Sequence, residues 1–563
     1  MSPLLVFPMK SILLAFVSFL LAATAHAQWK TTTYTLKGGW NAIYLRGDVP
    51  QDSLEDLFPA AVIEVWRWNT NPDQVQFTQS PLIPSAGTPD WSVWKRGLPE
   101  ESSLSKLIGQ SAYLVRCSGS SANSYSVSLK QSLKMPAGSW VRNGANLLGF
   151  PSYKNGSSFP TFSSYFATFP AAIASNAKIF KYVGGDLGAG NPLQVFSPNN
   201  ERLDATQAYW FSAEVVGNFV APLEVRTSTA NGLSFGRSGS VITVRVQNRT
   251  AAAVGVTFTP EMSEAAPTGQ TEVAGMVPLT RRTFNAVSNQ WTETGFVSSF
   301  TEAIGPSGSL ELSFGIYRAG EGMTAAAAEA LFASFVRVTD SASLMDVWVP
   351  VTARKSSLAG LWLGDAVVSG VESKTAGYTG TATAQTYSLR YIVHVDDAGN
   401  ARMLSQVFLG LLAGESPQPG ICTLESGLGV ADKASARRMV SAHMPLDRVL
   451  DGGIMALGGS MNCTISTPFN DPTSPFVHQF HPDHDNKSGI TALVSGQESY
   501  DLSRAVTFDI SATAPEGVSS AGYGSNIIAG GYTEVLSGLR KDSVTVTGSF
   551  TLHRVSEIGT LSQ

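Results

Sequence analysis

Apolar residues fall at every second position through long parts of this chain. In "SVITVRVQN" Ile242, Val244 and Val246 share one face, and in "AVGVTFTP" Val254, Val256 and Phe258 do the same. "SLELSFGI" aligns Leu310, Leu312 and Phe314, and "MDVWVPV" aligns Val347, Val349 and Val351. A period of two places one row of side chains against a core and the other toward solvent, so each run predicts a half-buried strand. Several such strands over residues 229–355 predict an immunoglobulin-like β-sandwich, a module that spaces or presents its neighbours. The Ala-rich stretch Thr324 to Ser334 is the exception and predicts a short helix capped by Thr324.

Ahead of this sandwich the chain repeats itself. "GWNAIYL" (39–45) answers to "GANLLGF" (144–150), "IEVWRWN" (63–69) to "AKIFKYV" (177–183), and "QSAYLVRC" (110–117) to "TQAYWFSA" (206–213). Order and spacing are kept, which predicts one small antiparallel β unit built twice, over 28–130 and 131–228, with the two copies packed together. Behind the sandwich, residues 356–563 change pattern again. "YSLRYIVHVDDAGNARMLSQVFLG" reads as a hairpin turning at Asp396–Asn400, with Tyr387, Leu389, Tyr391, Val393 and Val395 on one face. "SVTVTGSFTLHRV" keeps Val544, Val546, Phe550 and Leu552 in phase around Gly548. Long regular strands of this kind predict an antiparallel β-barrel or sandwich. The expected fold class is therefore all-β throughout.

The "GWN", "VWRW" and "AYW" strands, with the C-terminal phrases "HPDHDN", "ESYDLSR" and "GSFTLHRVSEI", resemble a group of secreted multi-domain β proteins of environmental bacteria. The group is largely uncharacterised. The resemblance spans most of the chain after residue 27 and implies a secreted β architecture, but it carries no catalytic residue.

Composition narrows the partners. Charged residues make up 14% of the chain and the net charge is −5, with no cluster of Lys or Arg. Nucleic acid and anionic membrane both require a concentrated basic field, so neither is expected as a partner. At the N-terminus Lys10 precedes "SILLAFVSFLLAATAHA", which ends in the small-residue pattern Ala25-His26-Ala27. This predicts a signal peptide over 1–27, cut before Gln28, and a protein of the periplasm, cell surface or extracellular space. No other apolar run is as long, so the mature chain is expected to have no membrane span.

Candidate chemistry concentrates in "PFVHQFHPDHDN", which holds three of the seven histidines. His478, His481 and His484, with Asp483 and Asp485, suit Zn²⁺. Ca²⁺ bound through the aspartates is an alternative, although EF-hand order fails at Lys487 and Gly489. Equally, Asp, Asn and Pro at these positions make a well-capped turn with no metal. His394 and His443 are further candidates, with His394 expected to be a lone exposed side chain. Trp91 and Trp94 in "DWSVWKRG" are either core or an exposed platform for sugar rings. Of the three cysteines, Cys422 and Cys463 are expected to pair in an oxidising compartment, leaving Cys117 as a buried free thiol. "GLSFG" around Ser234 mimics a nucleophile elbow, but a strand follows it where the elbow needs a helix. No nucleophile–base set is visible. The expectation is a non-enzymatic protein that binds a glycan or surface protein. A metal-dependent extracellular hydrolase centred on 478–485 and a structural spacer or matrix protein are the alternatives.

Overall fold

The computed structural model describes residues 28–50, 53–69, 84–85, 87–142, 144–188, 190–212, 214, 217–373, 387–413, 420–422, 437–443, 447–468, 502–538 and 543–561. Strand accounts for 51% and helix for 5%, so the all-β class is correct. The chain forms two compact units that divide between Arg354 and Lys355. Two short upstream segments, 237–241 and 315–329, belong with the second unit.

In the first unit, a four-stranded sheet runs in the order Gly39–Leu45, Ser111–Cys117, Val62–Trp68, Trp91–Lys95. A second follows the order Asn146–Leu148, Tyr209–Ser212, Lys178–Lys181, Leu193–Gln194. The paired phrases of the sequence thus lie on equivalently placed strands, and the hydrogen bonding matches in detail. Asn41, opposite Val115, accepts from Lys37 N (2.8 Å) and donates to the carbonyls of Lys37 (2.7 Å) and Gly39 (3.1 Å). Asn146, opposite Phe211, accepts from Val141 N (2.7 Å) and donates to the carbonyls of Val141 (3.0 Å) and Gly144 (3.2 Å). Tyr113 Oη accepts from Ile108 N at 2.8 Å, and Tyr209 Oη accepts from Asp204 N at 2.8 Å, each five residues upstream. In each sheet a single capped helical turn lies between the first and second strands in chain order, Leu54–Leu57 with Ser53 as cap and Phe162–Tyr165 with Thr161 as cap.

The first of these sheets is covered on both faces, which is why every residue of Gly39–Leu45 is buried. On one side lie Tyr34, Leu36, Val127 and Leu129 of a sheet formed by Trp29–Lys37, Ser124–Leu133 and Gly47–Asp48. On the other, Trp40, Trp66, Trp68 and Trp91 mesh with Trp210 and Tyr182 of the second sheet. Backbone bonds join the two sheets, with Trp40 N donating to Gly185 O at 2.9 Å and Tyr44 N to Thr206 O at 3.0 Å. The approach is close enough that a Cβ on Gly39, which sits at φ +86°, would fall 2.3 Å from Gly185 O.

The strands of residues 223–354 form two further sheets. One contains Val241–Asn248, Ser309–Ile316 and Leu279–Asn285, and the other contains Val254–Met262, Leu331–Asp340 and Asp346–Arg354. Phe296 bridges them, with ring centroids 5.4 Å from both Phe300 and Phe314. The expected helix from Thr324 to Ser334 is not formed. A four-residue helix, Glu321–Thr324, ends where the prediction started, Glu329 adopts φ 64°, and strand Leu331–Asp340 follows. That strand is buried on nearly every residue, so burial makes the end of the expected helix a strand, while Ala325–Ala328 ahead of it form bends and turns that are mostly exposed.

The second unit is a nearly closed antiparallel barrel of eight strands. Its order is Gly420–Cys422, Ala401–Ala413, Tyr387–Val395, Gly360–Ser373, Val544–Ser556, Ile527–Ser537, Leu502–Ile510, Ser460–Thr467. Closure is begun by Arg448–Leu450, which pairs with Ala401–Met403 and leads into an Asp451–Asn462 bridge. Leu389, Tyr391, Val393 and Val395 point into the core together, as do Val544, Val546, Phe550 and Leu552. Gly548 is required among them, since a Cβ there would lie 2.1 Å from Val367 O. The turn expected at 396–400 forms, with Asp396 N donating to Asn400 O and Gly399 at φ 91°.

Asn41→Ala and Asn146→Ala should each destabilise the first unit by about 2–3 kcal/mol, because each strands buried backbone groups without a partner. Urea unfolding followed by tryptophan fluorescence checks this. Similar losses at both positions are expected.

Candidate functional site

His478, His481, His484, Asp483 and Asp485 lie outside the described residues, as does the side chain of His443. Among the described residues no group of three or more His, Cys, Asp and Glu is placed to hold a metal. His394 was expected to be exposed and is instead 3% exposed, with Nε2 3.3 Å from Ile558 O. Its strand keeps the predicted alternation, but the C-terminal residues cover its outer face. Ser234 sits on the short strand Leu233–Ser234 with Thr352 Oγ1 at 3.4 Å and no acid–base partner among the described residues.

Trp91 and Trp94 are both buried, so neither forms an exposed platform. Trp94 packs on Phe58, with Arg96 over its ring. Trp91 belongs to the shared indole cluster, 5.1 Å from Trp68 and 6.1 Å from Trp210, both nearly edge to face. The buried indole N–H groups of Trp68 and Trp91 have no hydrogen-bond acceptor among the described residues, and the edge-to-face packing offers π faces in their place.

Cys117 is a buried free thiol, as expected, and so is Cys463. The bridge expected between Cys463 and Cys422 is therefore not formed at Cys463; the side chain of Cys422 lies outside the described residues. The register explains the separation. Cys422 pairs opposite Leu411, whereas Cys463 follows the Asp451–Asn462 bridge beside Ala401. Ten residues of strand span about 33 Å, against the ~7 Å Cα limit for a disulfide. Burial pushes both the Cys117 and Cys463 thiols up to about 11.

The barrel interior carries a polar chain that the alternation pattern hides. Arg504 and Glu534 form an ion pair inside the core, Tyr532 Oη donates to Glu534 Oε2 at 2.6 Å, and the Tyr391 and Tyr532 hydroxyls are 2.7 Å apart. All four residues are at most 1% exposed. Burial, with the neighbouring Tyr391 and Glu534, holds the Tyr532 hydroxyl well above its ordinary range. This chain of polar side chains is enclosed within the barrel. It organises the core.

The exposed aromatic surface lies elsewhere. Strands Leu279–Asn285 and Gln290–Gly295 form a hairpin whose second strand is the edge of its sheet. Asn285 Oδ1 closes the turn by accepting from Val287 N and Ser288 N. Phe284 and Trp291 are direct cross-strand partners with centroids 5.3 Å apart, and they are 47% and 51% exposed. Arg282 lies 4.7 Å from the Trp291 ring centroid and pairs with Glu293 at 2.9 Å. Two aromatic faces are thus held beside a fixed ion pair, a surface suited to C–H stacking flanked by polar contacts. The sequence signal was available: in "RRTFNAVSNQWTETG" Phe284 and Trp291 have polar residues at the alternate positions of their strands, Arg282 and Glu293, where a core strand carries apolar ones.

No helix among the described residues is long and apolar enough to cross a membrane. Glu534→Leu alone should cost about 3–5 kcal/mol by removing the carboxylate that faces the buried Arg504. The double change with Arg504→Met should cost less, as read by denaturant unfolding. In a Cys422→Ser background, both remaining thiols should resist a thiol reagent at pH 8 until the protein is unfolded. No known family model matches this chain, and no curated protein matches it.

Proposed function

We propose that this is a secreted, non-enzymatic protein that binds a glycan through the hairpin of residues 279–295. The observation that carries this reading is the Phe284–Trp291 pair, half exposed on an edge hairpin beside the Arg282–Glu293 ion pair. Sugar rings present C–H faces to aromatic rings and hydroxyls to neighbouring charges, so one surface serves both. The leader-like residues 1–27 and the expected duplication of the N-terminal β unit support export and a modular binding role at the cell surface, in the periplasm or outside the cell.

A glycan array probed with the full chain tests the proposal. At least one sugar family should bind, and Trp291→Ala and Phe284→Ala should each weaken it ~10-fold or more. Each change also removes a half-covered ring and its cross-strand partner, so stability should fall by about 1 kcal/mol, which leaves the chain folded for the array. A blank array, or binding untouched by both substitutions, overturns the reading.

A further inference from the structure

At the tip of the hairpin the run from Thr283 to Thr292 carries no charged side chain. Asn285, Ser288, Asn289 and Gln290 flank Phe284 and Trp291 with amides and a hydroxyl, and all four are exposed. Charge enters the hairpin below this tip, as Arg281, Arg282 and Glu293. Cross-strand register sends the two arginines to opposite faces.

Both cations are already engaged. Arg281 pairs with Glu302 and lies 4.3 Å from the centroid of the Phe300 ring, which belongs to the facing sheet. Arg282 shares the outer face with the aromatic rings, because the Arg282–Glu293 and Phe284–Trp291 pairs are two residues apart along the strands. Its guanidinium is held between two groups of the hairpin itself. Nε donates to Glu293 Oε1 at 2.9 Å, and Cζ lies 4.7 Å from the Trp291 ring centroid. The Arg282 and Glu293 side chains are 17% and 8% exposed, so the ion pair is far more enclosed than the rings beside it. A ligand carboxylate or sulfate at the rings would have to compete with Glu293 for this guanidinium, and would approach a second negative charge in doing so. Sugar hydroxyls face no such competition, and the exposed amides serve them as donors and acceptors.

The rings set a second limit. Their planes are inclined at 54°, with centroids 5.3 Å apart. Two rings so inclined cannot lie flat together on the face of a crystalline polymer, whereas a free chain can turn to meet both. Resting on the hairpin as the glycan site, we propose that its ligand is a soluble glycan of neutral sugars, and that Glu293 is the residue that excludes acidic ones. Glu293 acts here by occupying Arg282, the cation closest to the rings along its strand, and by adding like charge against an anionic ligand. Because no ion pair forms with the ligand, salt has little to screen.

A glycan array printed with neutral, uronate-bearing, sialylated and sulfated chains tests this with the full chain. Hits lost in Trp291→Ala should be neutral, and raising NaCl to about 0.5 M should change them less than ~2-fold. Isothermal titration then compares the strongest neutral hit with the same sugar oxidised at C6 to the uronate. The native chain should favour the neutral form ~10-fold or more, Glu293→Gln should shrink that ratio ~10-fold, and Glu293→Asp should keep most of it. Powdered crystalline cellulose and chitin should retain the native chain no better than Trp291→Ala. A thermal melt of each variant reports folding, and the native chain's own preference and salt response decide the matter if Glu293→Gln fails to fold. Trp291-dependent hits that are acidic or fall steeply with salt, or Trp291-dependent retention on either powder, overturn this inference and leave the hairpin as a glycan site. An unchanged ratio in folded Glu293→Gln overturns the role given to Glu293. A blank array, or hits indifferent to both Trp291→Ala and Phe284→Ala, overturns the hairpin reading and this inference with it.

Discussion

A strand sends alternate side chains to opposite faces, so every sheet in this chain needs a cover for its apolar row. The requirement is met in three ways. The N-terminal sheet Gly39–Leu45 through Trp91–Lys95 is too small to enclose its indoles, and it shares them with Trp210 and Tyr182 of its neighbour. The sheets of residues 223–354 cover each other through Phe296, Phe300 and Phe314. The barrel curls until its strands cover themselves. Hairpin 279–295 is where cover runs out: toward the turn, Phe284 and Trp291 keep their strand register, pack on each other with Arg282 beside Trp291, and remain half exposed.

The same economy governs polar groups taken inside. Asn41 and Asn146 stand on buried strands because each side chain serves as both donor and acceptor to its own upstream loop, fixing the chain's path into the sheet. Arg504 and Glu534 answer each other, with Tyr532 and Tyr391 extending the chain of hydrogen bonds. Arg318 is buried as well, and its guanidinium donates to the Gly239 carbonyl.

Period-two alternation made the architecture legible. Leu389 to Val395 and Val544 to Leu552 face inward as their spacing requires, and the paired N-terminal phrases lie on strands of the same order. What alternation cannot show is the second cover. His394 faces outward yet is buried, because a segment more than 150 residues away lies across it. Trp91 and Trp94 were readable as surface or core because the aromatic partners that bury them are distant in sequence, Trp210 of the other sheet for Trp91 and Phe58 for Trp94. The Ala-rich run after Thr324 has local helix preference, but burial on both faces makes Leu331–Asp340 a strand. The Cys422–Cys463 expectation used proximity in sequence, whereas barrel register sets distance in space. A cavity of about 280 Å³ in the second unit was invisible for a related reason: its lining, from Arg318 to Gly524, comes from five separate segments, none of which carries a motif.

The exposed pair at Phe284 and Trp291 is hard to account for as mere tolerance. Gln290–Gly295 is an edge strand, and an edge bearing exposed aromatics invites pairing with other chains. The hairpin answers with charge: Arg282 and Glu293 lock across the two strands directly behind the rings, and Arg281 pairs with Glu302 on the other face. These charges make edge-to-edge association costly, while two rings whose replacement by polar residues would remove the hazard outright remain in place. A surface that guards against self-association and still retains its aromatic faces has the properties expected of a site for a polar, ring-shaped partner. That balance, more than exposure alone, favours a sugar over a second protein chain.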